Sequence, residues 1–281
     1  MMTGVKESIR IIVTMEQIKF SLLQLSDTHL QTAGKRLKTG DSGAEALKQA
    51  IAKAYRLQAQ FDDVILTGDL VDRGAVEEYR ELKAGLQAFP QDLPLYFCLG
   101  NHDAREAFTP VFGTLKDCGL ADAFDTHYQY SVPLFTFKDQ VVRLVVLDTL
   151  EPGKDQGRLC EQRQQWLHKT LSLYPHDRIL LVMHHLPFLT GSALFDSMVV
   201  EERRQFEEVL VGFKNVERIV CGHFHRACVT QLASIPVVVS PSTVHAYPLS
   251  YRGRQHEALV IDEPAGFTIH RFIVDAQSAY W

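Results

Sequence analysis

Six short apolar runs along the chain each stop at a polar residue. Phe20–Leu25 ends at Ser26-Asp27-Thr28-His29, Val64–Thr67 at Gly68-Asp69, and Leu95–Leu99 at Gly100-Asn101-His102-Asp103. Val141–Leu147 ends at Asp148, Ile179–Met183 at His184-His185, and Arg218–Cys221 at Gly222-His223-Phe224-His225. Apolar runs of this length, bounded by glycine and polar breaks, predict buried strands. In open α/β sheets, ligands collect beyond the carboxyl ends of the strands. The repeated ending therefore predicts one site assembled from many segments, and its side chains carry oxygen and imidazole.

Between the runs, apolar residues recur at helical spacing. Leu47, Ile51, Ala54 and Tyr55 place an amphipathic helix over Glu45–Gln58, and Glu77–Ala88, Arg158–Leu173 and Glu201–Val211 read the same way. After His225 the pattern turns to strands at Cys228–Leu232, Val237–Ser240, Ala258–Ile261 and Phe267–Val274, with Glu263-Pro264-Ala265-Gly266 as the last turn. Leu186–Val200 (LPFLTGSALFDSMVV) is a long non-helical stretch directly after a candidate ligand. Its Phe188, Leu189, Leu194 and Phe195 suit either a substrate wall or a contact with a second subunit, so a homo-oligomer stays open. Together with Gly34–Ser42 and His245–Arg254 it is expected to decide substrate choice.

Composition narrows the class. With 281 residues and 46% hydrophobic content, the chain has enough apolar surface for one large domain, expected over residues 18–281 behind an extension at 1–17. A net charge of −5 and the lack of any long basic block argue against nucleic-acid binding. The Lys35-Arg36-Leu37-Lys38 cluster is read as a solvated loop near the site mouth. Five cysteines form no C-x-x-C pair, which fits a reducing cytoplasm better than a disulfide framework. The apolar stretch Ile9–Val13 is too short and interrupted for a signal peptide or a membrane span.

The candidate chemistry is that of metal ions. Asp27, His29, Asp69, Asn101, His184, His223 and His225 offer oxygen and imidazole without thiolate, which suits manganese, iron, cobalt or zinc. Seven donors exceed one tetrahedral ion and suit two ions that share a carboxylate. A lone aspartate after a strand is ordinarily a helix cap or a turn residue, and only the whole set in order outweighs that reading.

The order D-x-H, G-D, G-N-H-D, H, G-H-x-H resembles the calcineurin-like metallophosphoesterase superfamily. The spacing and the Gln164-Gln165-Trp166-Leu167 run look most like its bacterial branch of class III cyclic nucleotide phosphodiesterases and glycerophosphodiesterases, although Arg163 stands where relatives often carry glutamine. The resemblance implies a four-layer αββα sandwich with two central mixed β-sheets. It also implies two divalent ions, iron and manganese first, with zinc or cobalt as alternatives. Asp27, His29, Asp69 and His225 would hold one ion, and Asp69 would bridge to a second held by Asn101, His184 and His223. His184 aligns with the family ligand, with His185 as its alternative. His102 would act on the phosphoryl group or the leaving oxygen. Asp72 would orient His102, Arg73 would contact phosphate as in protein Ser/Thr phosphatases, and His245 would touch substrate at the rim. Asp148-Thr149 is read as a turn support. The implied reaction is phosphodiester hydrolysis by a metal-bridging hydroxide, with a 3′,5′-cyclic nucleotide (cyclic AMP) as favoured substrate. A glycerophosphodiester is the alternative, followed by a protein phosphatase or a non-catalytic scaffold.

Overall fold

The computed structural model describes residues 18–57, 60–117, 126–248, 266–274 and 278–281. The expected extension at 1–17, the strand at Ala258–Ile261 and most of the turn at 263–266 lie outside them. Eleven strands are described: β1 (Ile18–Leu25), β2 (Asp63–Thr67), β3 (Leu95–Cys98), β4 (Tyr130–Phe137), β5 (Gln140–Val146), β6 (Arg178–Val182), β7 (Val216–Cys221), β8 (Cys228–Leu232), β9 (Ile235–Val239), β10 (Thr268–Val274) and β11 (Ala279–Tyr280). The helices are α1 (Gly43–Arg56), α2 (Val76–Leu86), α3 (Arg105–Phe112), α4 (Glu161–Leu173), α5 (Ala193–Asp196) and α6 (Arg203–Val211).

The strands form two mixed sheets, ordered β11-β10-β1-β2-β3 and β4-β5-β6-β7-β9-β8. In the first, β1 pairs in parallel with β2 and antiparallel with β10, so the chain's first described strand is closed by one of its last. Alternation along the six-stranded sheet explains why its strands read as unbroken apolar runs. Val142, Leu144, Val146, Leu180, Val182 and Val220 join the core shared with the other sheet. Val145, Leu147, Ile179, Leu181, Met183 and Ile219 join a second core with Leu167 and Leu171 of α4 and Phe206 and Leu210 of α6. A strand buried on both faces has no polar positions to alternate with. α1, α2 and α3 contribute Leu47, Tyr79 and Phe108 to the first core. The order of layers is helix, sheet, sheet, helix, the expected four-layer α/β sandwich.

β4, β11, α3 and α5 are absent from the sequence reading, and proline accounts for β4 and α3. β4 contains Pro133, which lacks an amide donor, but β4 is an edge strand and its register shifts between Pro133 and Phe135. α3 contains Pro110 and is eight residues long, too short for a periodic signal. The Leu186–Val200 segment is also not wholly irregular. It holds the one-turn α5, and the Asp196 carboxylate accepts hydrogen bonds from the amides of Thr190 and Gly191 at 2.6 and 3.1 Å.

Candidate metal centre

The carboxyl ends of β1, β2, β3, β6 and β7 deliver the candidate donors to one place, although β1–β3 and β6–β7 belong to different sheets. Each strand has to break sharply for its donor to turn inward. Asp27, His29, Asp69, His223 and His225 all adopt left-handed backbone conformations, with φ of 52°, 41°, 47°, 69° and 57°. Such conformations cost residues bearing a Cβ on the order of 1–2 kcal/mol each and cluster at functional sites, where the surrounding structure over-determines them. The glycines of the motifs make room. A Cβ on Gly100 would collide with the Asp69 carboxylate and the His184 ring, and one on Gly222 would collide with Ser26 and with the Thr67 carbonyl.

The donors separate into two groups that meet at Asp69. In the first, His225 Nδ1–H donates to the His245 carbonyl oxygen at 3.1 Å, which leaves its Nε2 with a lone pair. That nitrogen lies 3.2 Å from His29 Nε2 and 3.4 Å from Asp27 Oδ1, while His29 Nε2 lies 3.8 Å from Asp69 Oδ2. In the second, His184 Nδ1–H donates to the Thr67 carbonyl oxygen at 2.7 Å. Its free Nε2 then faces His223 Nδ1 at 3.2 Å, Asn101 Oδ1 at 3.3 Å and Asp69 Oδ1 at 3.4 Å. The two oxygens of Asp69 thus face different groups.

Each group crowds imidazole nitrogens against one another and against carboxylate or carboxamide oxygens. Lone pairs brought within hydrogen-bond distance repel unless a proton or a cation lies between them. These residues therefore fit divalent ions, and the oxygen and nitrogen donors without thiolate suit first-row metals. The electrostatics of the metal-free protein agree. Burial alone would raise both carboxyls, yet the neighbouring imidazoles outweigh it, holding Asp27 down at about 2 and Asp69 well below the usual range. Burial would likewise lower His184, but the Asp69 carboxylate outweighs it and raises the imidazole to about 9. His223, buried and beside His184, is pushed down to about 3.

The supports behind the donors are ordinary residues. Asp27 accepts from Ser26 Oγ at 2.5 Å and from the His223 amide at 3.1 Å, and its own carbonyl accepts from Ser242 Oγ at 2.9 Å. The Asp103 carboxylate accepts from the amides of Gly100 and Leu70 and from the Tyr79 hydroxyl, which welds the G-N-H-D turn to the G-D turn. Asp148 is a buried turn support: Arg105 grips both its oxygens at 2.6 and 2.7 Å, and the Tyr128 amide adds a third bond. Arg163 fills the glutamine position with a buried side chain that donates to the carbonyls of Asp148 and Arg158.

Other expected contacts differ in detail. His102 packs edge-on against His29, with ring centroids 4.7 Å apart, and its amide donates to Asp69 Oδ1 at 2.9 Å. Its Nδ1–H is held at 2.7 Å by the main-chain carbonyl of Asp72, where a carboxylate contact was expected. The Asp72 carboxylate pairs with Arg73 at 3.4 Å and also lies within 4.8 Å of ring nitrogens of His29 and His102. The Arg73 side chain itself is 71% exposed. His185 bonds Thr149 Oγ1 at 2.7 Å, and its ring lies 4.8 Å from that of His223. His245 is buried with its ring 5.8 Å from that of His29, and neither ring nitrogen has a hydrogen-bond partner among the described residues. Phe195 is buried against Phe224 and Tyr247, and Leu189 and Leu194 are the exposed apolar members of the loop. Tyr247, whose ring lies 4.8 Å from His225, is a wall residue that sequence reasoning did not single out. An isolated tyrosine carries no motif signal.

Comparison with known proteins agrees with this geometry. Residues 20–227 match the family described as calcineurin-like phosphoesterase, and the chain belongs to it. The chain is 30% identical to the "Probable glycerophosphodiester phosphodiesterase GpdQ" of Arcobacter nitrofigilis, over 89% of its own length and 87% of that protein's. It is 27% identical to the 3′,5′-cyclic adenosine monophosphate phosphodiesterase CpdA of Vibrio vulnificus, over 82% and 78% of the two chains. A dimetal phosphatase from Danio rerio superposes with a TM-score of 0.59 at 14% identity, covering 80% of this chain and 88% of that one, a likeness of fold.

Proposed function

We propose that the protein is a metal-dependent phosphodiesterase that hydrolyses a 3′,5′-cyclic nucleotide, with cyclic AMP favoured. The observation that carries this reading is the convergence of seven acceptor-bearing side chains into two groups joined by Asp69. Asp27, His29, Asp69 and His225 would hold one divalent ion, and Asp69, Asn101, His184 and His223 a second, with iron and manganese ahead of zinc and cobalt. When bound, two such ions supply a nucleophile from water at neutral pH and neutralise charge on the phosphoryl oxygens.

The chain's own residues do the rest. The Asp72 carbonyl fixes Nδ1 of His102 as a donor, which leaves Nε2 for the substrate. Burial would lower the affinity of that imidazole for a proton, but the Asp69 carboxylate, the Asp72 carbonyl and the Asp72 and Asp103 carboxylates together outweigh it and raise it. A protonated Nε2 is placed to donate to a phosphoryl oxygen or to the departing alkoxide. His245, whose ring nitrogens have no hydrogen-bond partner among the described residues and whose ring lies beside His29, is assigned to the substrate's edge. Phe195 and Tyr247 form an apolar wall suited to a second ester arm.

A glycerophosphodiester is the second reading, favoured by the 30% likeness to the Arcobacter protein. Arg73 is exposed and paired with Asp72, a placement that lends the protein-phosphatase reading no support. Among the described residues, Cys98, Cys160, Cys221 and Cys228 are free thiols, in keeping with a reducing cytoplasmic setting. Among the described residues, no helix is long and apolar enough to cross a membrane.

The test is a hydrolysis screen of Mn²⁺-reconstituted protein with product identification. Cyclic nucleotides should give the highest kcat/KM, glycerophosphodiesters less, and matched monoesters least. Faster turnover of glycerophosphodiesters promotes the second reading. Preference for monoesters, or no cleavage with any divalent metal, overturns the diesterase reading.

A further inference from the structure

Between the two sheets, under the donor groups, lies a chain of buried polar side chains in a core that is otherwise apolar. Gln24 sits near the end of β1, three residues before Asp27, and is fully buried. Its Nε2 donates to Thr67 Oγ1 on β2 and to the Cys221 carbonyl on β7, both at 2.9 Å. Its Oε1 accepts from His270 Nε2 on β10 at 2.9 Å, and His270 Nδ1 accepts from Arg218 Nη1 on β7 at 3.3 Å. Arg218 Nη2 donates in turn to the Trp281 carbonyl at 3.1 Å.

The two bonds from Gln24 end at informative places. Thr67 is the residue whose carbonyl holds His184 Nδ1, and it precedes Gly68-Asp69. Cys221 precedes Gly222-His223-Phe224-His225. One carboxamide therefore touches the roots of the segments bearing Asp27 and His29, Asp69, and His223 and His225. Backbone pairing fixes β1 against β2 within one sheet, but β7 lies in the other sheet, which packs on the first through apolar side chains. Apolar packing is non-directional and tolerates small slides, whereas hydrogen bonds of fixed geometry do not. The direction of the carboxamide is set as well. With Arg218 donating to Nδ1, neutral His270 presents Nε2–H, so Gln24 must offer it oxygen and turn nitrogen toward Thr67 and Cys221.

We propose that Gln24 is a positioning residue that fixes the height of one sheet relative to the other beneath the metal centre, with His270 and Arg218 setting its orientation. It touches no donor atom and acts through Thr67 and Cys221. The inference rests on the metal-centre reading above, and its test reads the metals without substrate. Gln24→Met keeps the volume and burial but removes the three bonds.

In the Mn²⁺-loaded enzyme, Gln24→Met should change the exchange-coupled electron paramagnetic resonance signal of the ion pair and weaken the second ion about tenfold in calorimetry. It should also lower kcat about ten- to a hundredfold at near-constant KM, since displacements near 1 Å carry such costs. His270→Leu should do the same in milder form, and His270→Gln, which keeps one donor and one acceptor, should restore the wild-type signal. Leu171→Ala, in the core on the far side of the six-stranded sheet, serves as a control for lost stability. If Gln24→Met and His270→Leu both keep the wild-type signal and affinities, or if Leu171→Ala alters them equally, the proposal is overturned. A wild-type protein that binds no coupled pair would instead overturn the metal-centre reading, and this proposal with it. Should Gln24→Met fail to fold, the two His270 variants decide.

Discussion

Two buried polar clusters sit only a few residues apart in this molecule, and they are built on opposite rules. Around Gln24, each polar atom of the Gln24 and His270 side chains meets a complementary partner. At the strand ends, imidazole lone pairs face other lone pairs and carboxylate oxygens at 3.2–3.4 Å. A network that closes on itself lowers the cost of burying polar groups and joins elements together. An array of crowded lone pairs is stable only if a proton or a metal cation lies among them. The comparison separates a tie from a binding site by hydrogen-bond completeness, even though both are buried and rich in histidine.

The sharpest way to break the comparison is at Asp69. Asp69→Asn removes the charge shared by both donor groups, so at least one ion should be lost and kcat/KM should fall by more than about a hundredfold, a loss that outer-sphere substitutions at metal sites already reach. Elemental analysis showing two tightly held ions, with undiminished turnover, would end the bridging assignment. Next in size is His102→Ala, which should leave metal content near wild type and lower kcat by about 10²–10⁴-fold. The loss should shrink for a nitrophenyl diester, whose leaving group scarcely needs a proton. An equal loss on good and poor leaving groups would favour phosphate positioning over acid catalysis.

A smaller effect sharpens the other side. Burial, with Arg218 adding to it, pushes His270 down to about 3. The sign follows from linkage: below pH 6.5 the unfolded chain takes up a proton that the folded protein refuses. Stability contributed by neutral His270 is thus present above pH 6.5 and lost as pH falls toward 3, at a steepest slope of about 1.4 kcal/mol per pH unit. Urea unfolding of chelator-treated protein between pH 7.5 and 5 should show a shallower fall for His270→Gln than for wild type. Identical slopes would mean that His270 is not the closed, neutral link described. The smallest effect is expected at Arg73. As an exposed partner of Asp72, its change to alanine should move kcat/KM by no more than about twofold and stability by less than about 1 kcal/mol. A tenfold loss in kcat/KM would show that Arg73 reaches the substrate after all.

What could be read from the sequence follows the same division. The donors were legible because their segments each follow an apolar run, with a glycine beside Asp69, Asn101 and His223, and strand burial is written in the Val, Ile and Leu of β2, β5 and β6. The mixed first sheet was less so, since only long-range pairing of β1 with β10 makes it. Pro110 and Pro133 hid α3 and β4, because local rules against proline do not know that a helix is short or that a strand lies at an edge. The supports were invisible for another reason. Ser242, Tyr79 and Gln24 are common residues whose value lies in partners 24 to 246 positions away. At Asp72 the main-chain carbonyl, which every residue carries and no motif marks, makes the hydrogen bond to His102, while the carboxylate lies within 4.8 Å of a ring nitrogen.

The pairing of β1 between β2 and β10 also bears on how the protein is made. During synthesis β1 emerges early, yet its second edge stays open until Thr268–Val274 arrives, and an open apolar edge is a template for wrong pairing. The donors are likewise dispersed, from Asp27 to His225, so no early fragment holds a complete set. Contacts of such sequence separation form slowly. Metal capture is therefore a late event, coupled to closure of the sheets, and a nascent chain in a metal-rich milieu is spared from trapping an ion in a half-built site.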